Sequence, residues 1–147
     1  MGNPYEVPIP LSKIKHLFKN NLLSNWNDLW DTANTGRRVF RFINEASFSK
    51  FVSNKYIVYF LTGHGPFLAY LHRFKLKDSP LCPCGNSEDG VGDPDHYVFS
   101  CSLTADFHLT RPSQSNERVW FNKVLKNSSS ISKLTNCILI SKDICST

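Results

Sequence analysis

A mainly α fold is predicted by three features of this sequence. Apolar residues recur at helical spacing through most of its length. Prolines, glycines and short polar clusters cut that pattern into segments. Four residues, Cys82, Cys84, His96 and Cys101, combine metal-ligand chemistry with close spacing. Together these describe a small helical domain with a zinc-stabilised CCHC-type loop. The 147 residues suit one domain with one modest core, and 41% hydrophobic and 13% aromatic content suits a folded chain.

The elements follow in order. Pro4, Pro8 and Pro10 keep residues 1–11 extended, because each fixes φ and removes a backbone donor. A helix is expected from Ser12, with Ile14, Leu17, Phe18, Leu22, Trp26, Leu29, Trp30 and Ala33 repeating at i, i+3, i+4, i+7 and Gly36 as its stop. The run 37–43 is basic and β-leaning; it reads as an extended connector or a single helical turn. A second helix is expected over 47–61, carrying Phe48, Phe51, Val52, Tyr56, Tyr59 and Phe60. Gly63 can take the left-handed conformation that ends it, and Pro66 suits the first turn of a third helix over 66–75. Phe67, Leu68, Leu71 and Phe74 would point inward from it. Short helices are expected near 102–109, 115–126 and 130–141. The core should gather Trp26, Leu29, Trp30, Phe60, Phe67, Leu71 and Phe74. By composition the chain divides into an extended start (1–11), a basic helical region (12–78), a Cys/His segment (79–106) and C-terminal helices (107–147).

The Cys/His segment carries the chemistry. In C-P-C-G two thiols sit two residues apart in a tight turn, and Gly85 lets the backbone curl around them. In H-Y-V-F-S-C the imidazole and thiol are five apart, within reach of one ion across a helical turn and a half. Three thiolates and one imidazole suit a closed tetrahedral Zn²⁺ site. The competing readings are three ordinary small residues with a surface histidine, and a nucleophilic Cys–His pair; the latter lacks any oxyanion-hole signal. With a formal charge of −1 among five carboxylates, such a site would be structural rather than phosphate-binding. Cys137 and Cys145 read as buried or free thiols. His64 in T-G-H-G-P reads as part of a tight helix–helix turn, with a phosphate-receiving turn as the alternative. His16, His72 and His108 read as surface residues.

Charge is unevenly spread. Residues 1–78 hold eleven Lys/Arg against five Asp/Glu, and residues 79–147 hold six against seven. A polyanion should therefore meet the first half. Arg37, Arg38, Arg41, Arg73, Lys75 and Lys77 are the candidate nucleic-acid contacts, interleaved with aromatic residues such as Phe40, Tyr56 and Tyr59. The opposing reading makes the rings core and the cations a solvated face. No apolar run is long enough to cross a membrane, the first residues lack a signal-peptide pattern, and Glu6 stands where a myristoylation signal wants Ser or Thr. These features point to an intracellular chain, nuclear or cytoplasmic.

Several strings resemble, in the same order, the C-terminal tail of an arthropod non-LTR retrotransposon polyprotein of the jockey/R1-like kind. V-P-I-P-L-S at 7–12 is similar to the exit from that family's RNase H domain. W-N-D-L-W at 26–30 with G-R at 36–37 is similar to the pattern that follows. L-T-G-H-G-P-F-L-A-Y-L-H-R-F at 61–74 and C-P-C-G with D-H-Y-V-F-S-C at 82–101 are the most specific matches. The loop holding G-V-G-D-P looks longer than the family's. The resemblance implies that the acidic catalytic residues of RNase H, reverse transcriptase and endonuclease lie upstream. Glu6, Asp28 and Asp31 do not make a replacement two-metal site. It implies a non-catalytic nucleic-acid-binding module that holds template RNA or DNA, with a scaffold packing against the RNase H or polymerase domain as the alternative. RNase H activity in this segment is a third and weaker reading.

Overall fold

The computed structural model describes residues 2, 7–49, 52–86 and 88–147. Glu6, Lys50 and Phe51, and with them part of the expected extended start and second helix, lie outside these. Among the described residues, seven α-helices and two 3₁₀ turns make up the regular structure: α1 (Leu11–Thr32), α2 (Arg37–Phe42), α3 (Lys55–Thr62), α4 (Leu68–Arg73), α5 (Pro94–Phe99), 3₁₀ turns Ser102–Phe107 and Gln114–Asn116, α6 (Glu117–Leu125) and α7 (Ser128–Ser146). Among the described residues there is no β-strand, and one isolated antiparallel bridge joins Leu81 to Val91. The fold is mainly helical, as the periodicity predicts.

The last helix organises the rest. α7 packs against α3, α5, α6 and the 102–107 turn. Its buried stripe, Leu134, Cys137, Ile138, Ser141 and Cys145, repeats at helical spacing. Ser141 satisfies its buried hydroxyl by donating to the Pro66 carbonyl. Cys137 and Cys145 are both buried free thiols. Above α7 lies an aromatic cluster of Phe42, Phe60, Phe99, Trp120 and Phe121, with ring centroids 5.3 to 6.3 Å apart in tilted and edge-on geometries.

Local signals decide the helix ends. The Asn54 side chain accepts from the Tyr56 and Ile57 amides and starts α3 there, eight residues later than the pattern from Ser47 suggests. Gly63, at φ +71°, ends it as expected. Pro66 lies in the turn, and α4 begins two residues later. The run 37–43 resolves as the short helix α2. Gly36 opens that helix at φ +68° rather than closing α1, which ends at Thr32 with Ala33 as its C-cap. A Cβ at Gly36 would stand 2.7 Å from the Trp30 ring, so this site needs both the positive φ and the missing side chain.

The expected core is half right. Phe60 and Phe67 are fully buried and Leu71 and Trp30 partly so, but Trp26, Leu29 and Phe74 are 58%, 71% and 56% exposed. No residue of α1 is fully buried. The helix touches the body along one narrow edge. Trp30 Nε1 donates to the Ile43 carbonyl at 3.2 Å, and Asn27 Oδ1 accepts from the Ala46 amide at 2.7 Å. The apolar stripe Leu11, Phe18, Leu22, Trp26 and Leu29 faces outward. Periodicity identifies an amphipathic helix but not which neighbour covers its apolar face.

Candidate metal centre

The four ligand-type residues reach one point from three pieces of backbone. Cys82 leaves a short paired segment, in which the Cys82 amide donates to the Gly90 carbonyl at 2.7 Å and the Gly92 amide donates to the Pro80 carbonyl at 2.8 Å. Cys84 follows in a turn that Gly85 completes at φ +77°. His96 projects from α5, which starts with Asp93 as N-cap and Pro94 in the first turn; the Asp93 carboxylate accepts from the His96 amide at 2.8 Å. Cys101 comes just past the end of α5, where its own amide donates back to the His96 carbonyl at 2.8 Å.

The segment G-V-G-D-P, which looks like an insertion in the sequence, is therefore part of the scaffold. Val91 makes the bridge, buried Gly92 passes under Tyr97 and Leu68, and Asp93 and Pro94 start the histidine helix.

The geometry fits a tetrahedral ion. The ligand atoms of Cys82, Cys84, His96 and Cys101 all lie within 4.8 Å of one another. The Cys82 and Cys101 sulfurs are 3.7 Å apart, and Cys84 Sγ lies 3.4 Å from His96 Nε2. A tetrahedron with metal–sulfur bonds of about 2.3 Å and metal–nitrogen bonds of about 2.0 Å has edges of roughly 3.8 and 3.5 Å. His96 and Cys101 are fully buried, Cys82 nearly so, and Cys84 partly exposed. His96 Nδ1 is buried with no hydrogen-bond partner among the described residues.

Electrostatics change with an ion in place. Without one, burial pushes the Cys101 thiol up to about 12. Burial also opposes ionisation of Cys84, but hydrogen bonds from the Asn86 backbone and from Cys82 and Cys101 bring that thiol below its ordinary value. A bound divalent cation would hold all three as thiolates. His108, read from sequence as a surface residue, is half-buried beside this centre, with Nε2 2.8 Å from the Cys101 carbonyl and 3.1 Å from the Thr104 hydroxyl.

The candidate phosphate contacts separate into two groups. The arginines of α2 direct their donors into the fold. Arg38 donates to the Phe60 carbonyl at 2.9 Å and to Asp95 at 2.7 Å, and Arg41 binds Glu117 through two nitrogens at 2.5 and 3.1 Å while lying 3.5 Å from Asp95. The Glu117 hydrogen bond raises the Arg41 pKa further, and Arg38 outweighs burial to hold the Asp95 carboxyl below its usual range. Arg37 donates to the Trp30 and Asp31 carbonyls, closing the end of α1, and its guanidinium lies 4.2 Å from the Phe40 ring centroid. Arg73, Lys75 and Lys77 lie at and after the end of α4 and have no carboxylate partner among the described residues. Asp28 and Asp31 sit on exposed α1. Among the described residues no helix is long and apolar enough to cross a membrane.

Comparison with known proteins places the sequence. No family model and no solved structure matches it. Three curated relatives are each called a retrovirus-related Pol polyprotein from type-1 retrotransposable element R1. That of Bradysia coprophila is 32% identical over 101 residues, covering 65% of this chain and 10% of that protein. That of Popillia japonica is 32% identical over 94 residues, covering 63% and 36%. The protein of Nasonia vitripennis called R1 2 is 29% identical over 99 residues, covering 65% and 23%. The chain thus spans between 10% and 36% of the length of these relatives.

Proposed function

As the chain is homologous to a region of the R1 type-1 retrotransposon Pol polyproteins of insects, we propose that it acts as a non-catalytic, zinc-braced nucleic-acid-binding module of such a polyprotein. The observation that carries this reading is the convergence of three sulfurs and one imidazole nitrogen within 4.8 Å. Thiolate-rich tetrahedral sets favour zinc, and a closed four-protein-ligand set is structural rather than catalytic. The ion would tie α5 to the 80–92 segment. Nucleic-acid contact is assigned to Arg73, Lys75 and Lys77, which pair with no carboxylate among the described residues, while Arg38 and Arg41 pair with Asp95 and Glu117 and Arg37 bonds the carbonyls at the end of α1.

Two measurements test it. The purified chain should carry one equivalent of zinc, and a chelator should remove amide-exchange protection over 80–105 first. A metal-free folded chain whose Cys82, Cys84 and Cys101 thiols titrate freely refutes the metal assignment. A labelled single-stranded RNA or DNA should bind with an affinity that falls with salt, and neutralising Arg73, Lys75 and Lys77 should flatten the log–log slope by about 0.7 for each phosphate that no longer meets a cation. No binding at low salt refutes the nucleic-acid assignment.

A second reading, an interaction domain packing against the RNase H or polymerase part of the polyprotein, is favoured by α1. Five large apolar side chains more than half exposed on one face exceed what a monomer ordinarily leaves in one patch.

A further inference from the structure

A further cavity lies between α3, the turn at 63–66, α4 and the end of α7, and none of the four ligand-type residues lines it. Its volume is about 410 Å³, within the range of small-ligand sites. Its wall is unusual in chemistry. Tyr56, Tyr59, His64 and Tyr70 supply four rings, and Lys55 and Lys142 supply two cations from distant parts of the chain. Among the described residues no carboxylate lines it.

The T-G-H-G-P turn shapes this cavity. Gly63 ends α3 in the left-handed region. Gly65 lies so close to Tyr59 that an added Cβ would stand 2.8 Å from its ring. Between the two glycines His64 turns its ring toward Tyr70, with centroids 5.0 Å apart and planes 30° from parallel. Tyr56 and Tyr59 meet edge to face at 6.3 Å on the other side. The rings therefore offer both a flat face and an edge. Lys55 and Lys142 are exposed, and Lys77 acts electrostatically on Cys145, which lines the same cavity.

A flat ring carrying a negative group matches this wall better than an apolar ligand, which would leave the lysines unused, or a free phosphate, which would leave the rings unused. We propose that this cavity receives one nucleotide of a single-stranded nucleic acid, its base against the tyrosine and histidine rings and its phosphate on Lys55 and Lys142. The inference rests on the nucleic-acid reading above and gives it a location. The strand would leave toward Lys77, Lys75 and Arg73, which follow Tyr70 along the chain. Base–ring stacking is tolerant of sequence because every base has a π face, so weak base preference is expected.

The test compares nucleoside monophosphates with short single-stranded oligonucleotides on the full chain. An oligonucleotide should bind about ten- to a hundred-fold more weakly to Tyr56→Ala, with Tyr56→Trp restoring affinity, the loss expected of one stack. Lys55→Gln and Lys142→Gln, both on exposed side chains and expected to leave the fold intact, should each weaken binding and, combined, flatten the salt slope by about 0.7, the contribution of the one phosphate they share. A nucleoside monophosphate should shift the NMR signals of His64 and Tyr70. If oligonucleotide binding is intact in both lysine variants, the cavity assignment is overturned while the broader reading stands. If no oligonucleotide binds but the monophosphate still shifts His64 and Tyr70, the cavity is a mononucleotide site, and the strand-binding proposal is overturned together with the module reading. Absence of both effects overturns the cavity assignment outright.

Discussion

Replacing Arg38 with methionine separates a structural arginine from a phosphate-binding one. The wild-type side chain is 22% exposed and makes two directed contacts, with the Phe60 carbonyl at 2.9 Å and Asp95 at 2.7 Å. Methionine keeps much of the stem against Phe42 and Phe60 but removes both donors. A charged hydrogen bond contributes about 1.5–3 kcal/mol and an orphaned buried carbonyl costs about 1–3. Arg41, 3.5 Å from Asp95, softens the loss by keeping one cation near that carboxylate. The expected destabilisation is about 2–3 kcal/mol, a fall in Tm of roughly 5–10 °C for a domain of this size. Urea unfolding of Arg38→Met, Asp95→Asn and the double variant closes the cycle. A coupling of about 1–2 kcal/mol is expected, with the salt slope of nucleic-acid binding unchanged. Coupling near zero together with weaker nucleic-acid binding would mean that Arg38 is a free cation meeting phosphate, and the division of the basic residues drawn above would be wrong.

Three further outcomes follow from burial. Leu134→Ala, at a fully buried position on α7, should cost about 2–5 kcal/mol in a denaturant titration, whereas Phe18→Ser, on a side chain 70% exposed, should change stability by less than about 0.5. Gly92→Ala should destabilise by about 1–3 kcal/mol, because the new methyl would stand 2.7 Å from the Tyr97 hydroxyl and 3.0 Å from Leu68 Cβ; a thermal melt matching the parent would show that the 80–92 segment yields more easily than its packing implies. Burial pushes the Cys137 thiol up to about 12, so it should resist iodoacetamide at pH 8 until the chain unfolds. Its contribution to stability is complete below about 8.5, the unfolded value, and is lost as pH rises from there toward about 12, with a slope of about 1.4 kcal/mol per pH unit; a melt insensitive to pH across that window contradicts the burial.

The parts of this molecule legible in the sequence are those set by short-range chemistry. C-P-C-G and H-Y-V-F-S-C each constrain their own backbone, and the glycines at 63 and 85 adopt the positive φ that their positions suggest. The α1 periodicity marks a helix within one residue of its observed start. What periodicity could not supply was direction. The same stripe that predicts burial of Trp26 and Leu29 is the stripe left facing outward, because helical spacing reports that an apolar face exists and says nothing of who covers it. Phe74 failed for a related reason: α4 stops at Arg73, so the residue that would have closed its apolar face falls in the turn beyond. The family-like string W-x-x-x-W…G-R is better explained after the fold is seen. Trp30 lies over Gly36, and Arg37 reaches back to the Trp30 and Asp31 carbonyls, so the glycine and arginine together finish the helix that the tryptophan belongs to.

Charge had the most to hide. In the linear sequence the basic half and the acidic half look like two surfaces, one for a polyanion and one for a metal. In the fold they are partly each other's partners. Arg38 and Arg41, from the basic half, face Asp95 beside the histidine ligand and Glu117 at the start of α6. Both carboxylates are largely buried, so removing the arginines would leave charges without counterions, a far larger penalty than losing an exposed pair. Part of the positive excess of residues 1–78 is therefore consumed inside the domain, holding α2 against α5. The cations left over do not respect the boundary between halves. Lys55 lines the same ring-walled cavity as Lys142, which comes from the other half of the sequence. A search for binding residues by local charge density selects α2, where basic residues are consecutive, and passes over Lys142, which stands beside Asp143 in a weakly charged stretch. In the fold Arg38 and Arg41 are held by Asp95 and Glu117, whereas Lys142 is exposed and lines a cavity whose described wall holds no carboxylate.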